Sequence, residues 1–181
     1  MKMKNNVRLL VMCGLLIALD VVSARFLNFY TPGQTDRISL QFLANAFAGM
    51  LFGPVWGALT CVLGDVVGMA INPNGMFMPL ITLACAARGV IYGLVLHKKP
   101  VSILRSIVAV SVVTVVVELG MMPVFLSVLY GRAWGVLLIA KLPWRLATIP
   151  VYGMILYTVS RAAASAGIVK SIVRGKDKAR G

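Results

Sequence analysis

The chain has 181 residues, 60% of them hydrophobic and only 13% charged, with a mean hydropathy of +0.91. Soluble domains carry about 25% charge, so a water-soluble globule is excluded and a bilayer is the expected solvent. The net charge of +13 does not point to nucleic acid, because the Lys and Arg residues gather at the chain ends and between apolar runs, as membrane-orientation signals do.

A spanning helix takes ~20 apolar residues, so the chain has room for about six to eight spans and no soluble domain beside them. The first apolar run covers about 7–27, behind Lys2, Lys4 and Arg8. It resembles a secretory signal, but five more apolar segments follow and no small-residue cleavage site intervenes, so it reads as a retained span. It contains Gly14, Ala18 and Asp20 and ends near Arg25. The connection 26–37, FLNFYTPGQTDR, carries a Pro32-Gly33 centre between aromatic residues and ends at Arg37. It suits an interfacial loop, either a lid over a binding site or a plain connector.

Two runs follow, about 38–53 and 54–71, meeting at Gly53-Pro54. Both are near the minimum spanning length, so one or both are expected to be tilted, short or partly re-entrant, and their pairing as a helical hairpin is the firmer expectation. After Asn72-Pro73-Asn74-Gly75 comes a run over about 76–97 with Arg88, then the break Lys98-Lys99-Pro100, then a run over about 101–124 with Glu118. The last run, about 135–160, holds Lys141, Trp144 and Arg145, and a basic tail at about 162–181 suits anionic lipid. The expected fold is all-α: a single polytopic membrane domain over residues 1–181 with six transmembrane helices. Placing the N- and C-termini in the cytoplasm puts Lys98, Lys99, Arg105, Arg161 and the tail inside and leaves only Arg25, Arg37 and Arg132 outside, as the positive-inside rule requires.

An ionisable group in the hydrocarbon costs at least ~2.5–3.5 kcal/mol, so Asp20, Asp65, Arg88, Glu118, Lys141 and Arg145 each need a partner or a function. Counted along the spans, all but Arg88 fall in the outer half or near the centre, with Arg25 and Arg37 at the outer rim. Lys141 and Arg145, four residues apart, share a helix face and can present two cations to one anionic group. Alternatively, Asp20, Asp65 or Glu118 neutralises them internally. Arg88 lies deeper and suits a structural partner of a carboxylate. Trp144, between the two cations, either stacks on a bound ring or anchors the helix at the interface.

Small residues recur four apart at Gly14 and Ala18, Gly49, Gly53 and Gly57, Gly64 and Gly68, and Gly89 and Gly93, a spacing that permits close helix approach. Cys13, Cys61 and Cys85 lie inside apolar runs, form no CxxC pair and are far in sequence from His97, the single histidine, so neither a disulfide nor a metal site is expected. No phosphate-binding glycine loop or His-based dyad is present, so the chain does not read as an enzyme, no cofactor is expected, and any ATP-driven step falls to another chain.

The segment 37–96, RISLQFLANAFAGMLFGPVWGALTCVLGDVVGMAINPNGMFMPLITLACAARGVIYGLVL, with its LFGPVWG and Asp65, followed by LYGRAW at 129–134, resembles the S components of energy-coupling-factor (ECF) transporters, most closely the folate-type ones. The resemblance extends to the first span with Arg25 and to Arg145 and Pro150. It implies a multi-pass subunit of the cell membrane that captures a water-soluble vitamin and works with a membrane T component and two ABC ATPases. It also implies that the small pair Gly14 and Ala18 packs on the T component and that the subunit topples in the bilayer. The substrate-binding set is then Arg25, Arg37, Asp65, Lys141, Trp144 and Arg145, while Asp20, Arg88 and Glu118 are either structural or ligand-facing. Met122-Pro123 stands where folate-type members carry Asn-Thr, and Met78-Pro79 where they carry Pro-Gly. A lost ligand hydrogen bond is worth ~1–3 kcal/mol, so another vitamin or precursor such as pantothenate or pyridoxal remains an alternative, as does a membrane assembly protein whose charges pair only with each other.

Overall fold

The computed structural model describes residues 2–26, 28–30, 37–71, 79–99, 101–131 and 134–165. The helices are α1 (Lys2–Arg25), α2 (Gln41–Phe52), α3 (Pro54–Ile71), α4 (Pro79–Leu96), α5 (Ile103–Val113), which passes through a π-helical stretch (Thr114–Met121) into α6 (Met122–Tyr130), and α7 (Trp134–Ser165). With the α5-to-α6 segment taken as one run, these are the six expected helical units. Four stretches among the described residues are long and apolar enough to cross a membrane: α3, α4, Ile103–Val128 and α7. Pro32-Gly33, Asn72-Pro73-Asn74-Gly75, Met78, Arg132, the tail beyond 165 and the side chain of Arg37 lie outside the described residues.

Two features depart from the expected elements. The connection after α1 is not all irregular: β1 (Asn28–Tyr30) pairs antiparallel with β2 (Arg37–Ser39), Phe29 opposite Ile38. The fifth span also runs on to Tyr130 instead of ending near 124. Its π-helical stretch has a local cause in Pro123, at the start of α6: proline has no N–H to donate, and its ring clashes with the carbonyl four residues back. A wider turn relieves that clash, and Met122 N–H accordingly bonds Val117 O, five residues back.

Helix α2 is the centre of the bundle. At 12 residues it is ~18 Å long, short of the ~30 Å hydrocarbon core. Nine of its residues are buried, from Gln41 to Phe52, as befits a helix apolar on every side. On one side Ala46 and Met50 join Tyr92, Leu96, Val110, Val113 and Leu156. On the other, Ala48, Leu51 and Phe52 pack on Leu16 of α1. Phe42 stacks on Tyr152 of α7, ring centroids 4.1 Å apart.

The α2–α3 hairpin forms as the sequence requires. Gly53 sits at φ +86°, a left-handed conformation that glycine adopts without steric cost, and Pro54 opens α3, where its missing N–H is harmless. The end of α2 is closed from α4: His97 Nδ1 lies 3.0 Å from Met50 O, satisfying one terminal carbonyl. Glycines bring these helices into contact, since a Cβ on Gly89 would stand 2.6 Å from Gly57 O and one on Gly57 would stand 2.8 Å from Gly49 Cα. The outward surface is apolar, with Leu10, Val55, Leu104, Val136 and Ile139 all more than 60% exposed. A contiguous surface of that kind belongs in lipid.

Candidate functional site

The buried charges gather in one region. Glu118, on the π-helical stretch, accepts from Arg88 Nη2 on α4 through Oε1 at 2.8 Å and from Arg145 Nη2 on α7 through Oε2 at 2.9 Å. The widened turn next to Pro123 thus carries a carboxylate that bridges two guanidinium groups, and π turns recur at functional sites. One turn earlier on α7, Lys141 is also buried; the shared face expected from the four-residue spacing is the inward one.

Toward α1 the network continues with carboxylates. Asp20 is 2% exposed and its Oδ2 accepts a long 3.4 Å bond from Gln41 Nε2, the first residue of α2. Asp65 on α3 accepts a 2.8 Å bond from Thr82 Oγ1 on α4. Gly64 and Gly68, spaced for close helix approach, in fact seat polar side chains of α1. A Cβ at Gly64 would collide with the Asp20 carboxylate, and one at Gly68 would come within 3.0 Å of Arg25 Nε. Every helical unit therefore supplies a member: Asp20 and Arg25, Gln41, Asp65, Thr82 and Arg88, Glu118, then Lys141 and Arg145.

Asp20, Asp65 and Glu118 thus share the interior with Arg25, Arg88, Lys141 and Arg145, and charges of both signs in a low-dielectric interior act strongly on any ion that joins them. The cluster lies in the half of the bundle that carries the β1–β2 ribbon, away from the Gly53-Pro54 turn.

This architecture has known counterparts. A family model described as "ECF-type riboflavin transporter, S component" matches residues 4–163. The "Folate transporter FolT" of Clostridium novyi (strain NT) is 34% identical over 153 residues, 84% of this chain and 88% of that protein. This chain belongs to the ECF S-component family. The "Folate transporter FolT" of Streptococcus mutans serotype c is 27% identical over 128 residues, 67% of this chain and 68% of its own length. A solved structure titled "Crystal structure of FolT bound with folic acid" superposes with a TM-score of 0.75 at 32% identity, covering 82% of this chain and 88% of that one.

The chain is thus a membrane-embedded, substrate-binding subunit of a transporter, in a family that is not one of enzymes. Of the residues singled out in its sequence, the S-component fold turns Arg25, Asp65, Lys141 and Arg145 inward, Lys141 buried and the other three half-buried. Trp144 does not join them: it is 41% exposed, on the flank of α7. Glu118 neutralises Arg145, one of the expected pairings, and also holds Arg88. Gly14 faces outward with nothing within 4 Å of a Cβ built there, and Ala18 is exposed one turn along. Gln41 and Thr82 escaped notice in the sequence, although each is a hydrogen-bonding residue beside or within an apolar run, where such a group needs a partner.

Proposed function

We propose that this S component captures folate, or a closely related anionic vitamin, at the cell membrane and delivers it to an ATP-driven importer. The observation that carries the reading is its likeness to the folic-acid-bound FolT over most of both chains. The inward cations of α7, Lys141 and Arg145, support it, because folate carries a carboxylate tail beside an uncharged ring. In this reading Lys141 and Arg145 take the acidic end, Arg25 and Arg37 attract the anion at the outer rim, Asp65 meets N–H donors, and Trp144 stacks at the edge of the site.

The single domain spans 1–181 with both termini cytoplasmic, on the distribution of Lys and Arg. As membership of the ECF S-component family implies, a membrane T component and two ABC ATPases complete the importer, and this chain acts as a binding subunit rather than an enzyme. The outward Gly14 and Ala18 are the docking face for the T component. The riboflavin description of the family model favours a second reading, capture of a different vitamin. A tryptophan-fluorescence titration of the detergent-purified subunit separates them. Saturable quenching by folate alone supports the first; a response to riboflavin, pantothenate or pyridoxal with none to folate discards it.

A further inference from the structure

The three carboxylates of the cluster, Asp20 and Glu118 buried and Asp65 half-buried, are not used alike. Both oxygens of Glu118 are taken by guanidinium groups, and Asp65 Oδ2 holds a short bond from Thr82. Among the described residues Asp20 accepts one hydrogen bond, a long one from Gln41 to Oδ2. Its Oδ1 is buried with no hydrogen-bond partner among the described residues. A carboxylate removed from water needs its acceptor positions filled. The charged groups that act on it are Arg88, Asp65 and Arg25, yet none bonds Oδ1: Arg88 Nη2 is on Glu118 and Arg25 lies over Gly68, one turn along α3 from Gly64, on which Asp20 rests. The packing that collides with any side chain at Gly64 fixes Asp20 in place without giving it a donor.

We propose that Asp20 is the specificity residue for the ring end of the ligand, its carboxylate accepting N–H donors while Lys141 and Arg145 hold the acidic end. The ligand class is a heterocycle with an amino group next to a ring N–H, because a carboxylate accepts two parallel N–H bonds. The 2-amino-4-oxopyrimidine edge of a pterin has that form. Gln41 covers the second oxygen through its long contact, and rotation of its side chain frees Oδ2 for the second donor. This inference rests on the folate reading and adds the group that distinguishes a pterin from other anions.

The test is calorimetric titration of the purified full chain and of Asp20→Asn with folate, with a folate analogue lacking the 2-amino group, and with p-aminobenzoylglutamate, which keeps the acidic tail without the pterin. The wild type is expected to bind the analogue at least roughly tenfold more weakly than folate. Asp20→Asn is expected to lose roughly tenfold to a hundredfold in folate affinity, to bind folate and the analogue alike, and to leave p-aminobenzoylglutamate unchanged. A variant that binds folate as tightly as the wild type overturns the proposal and leaves the folate reading intact, as does one that loses all three ligands equally. If Asp20→Asn does not fold, the wild-type comparison decides, and equal affinity for folate and the analogue overturns the proposal. A folded wild type that binds none of the three overturns the folate reading itself, and this inference with it.

Discussion

Arg88 on α4 and Arg145 on α7 are tied together through one carboxylate, Glu118 taking the first at 2.8 Å and the second at 2.9 Å. Each guanidinium side chain is less than 15% exposed. Removing the shared partner of a buried charge network costs about 3–5 kcal/mol, because the remaining charges stay buried without compensation. Glu118→Leu is therefore expected to lower thermal stability in detergent by that order, and Glu118→Leu with Arg88→Met to recover part of it. Unchanged melting of the single variant would show that the bridge does not hold α4 to α7.

Lys141→Met and Arg145→Met are expected to weaken folate binding by roughly tenfold to a hundredfold, the worth of a charge-assisted hydrogen bond. Arg145→Met also breaks the Glu118 bridge, so its melting temperature should fall as well. Titration paired with thermal denaturation separates the two effects. If both variants melt earlier while keeping wild-type affinity, the cations serve only the fold.

Gly93 and Gly14 should respond in opposite ways. A Cβ on Gly93 would collide with Pro54 Cα, backbone that cannot yield, whereas one on Gly14 meets nothing within 4 Å. Gly93→Ala is expected to destabilise the subunit by about 1–3 kcal/mol through overpacking. Gly14→Leu should leave the isolated subunit as stable as the wild type and still binding its ligand, but reduce its recovery with a co-expressed T component. Normal co-purification of Gly14→Leu would remove this face from the docking surface.

Among the described side chains of the proposed site, Trp144 is the most exposed. Trp144→Leu is expected to cost less folate affinity than Lys141→Met, no more than about tenfold, the upper end for an aromatic contact. The same titrations measure it, and a larger loss would bring the indole into the body of the site.

The helix order was legible because each apolar run is punctuated by glycine, proline or basic residues, and α3 begins and ends where the Gly53-Pro54 and Asn72-Pro73 signals place it. The β1–β2 ribbon and the π-helical stretch were not. Three-residue strands are too short to show a period, and the effect of Pro123 on the turn before it depends on how neighbouring helices hold the segment. Lys141 and Arg145 were legible as a pair because four residues return to one face of any helix. Trp144, in the same five residues, could not be assigned a side, because it lies at the edge of that face.

Composition and hydropathy by themselves determined the solvent, the helical class and the number of helical units, since backbone groups in lipid must bond within their own segment. The charge pattern determined that several spans carry a group too costly to be left alone. Only the tertiary structure decided which groups meet: Glu118 with two arginines, Asp65 with Thr82, and Asp20 with Gln41 through a long bond. Pairing across helices is set by their rotation and close approach, and those follow from where glycine lets one backbone meet another, which no single segment encodes.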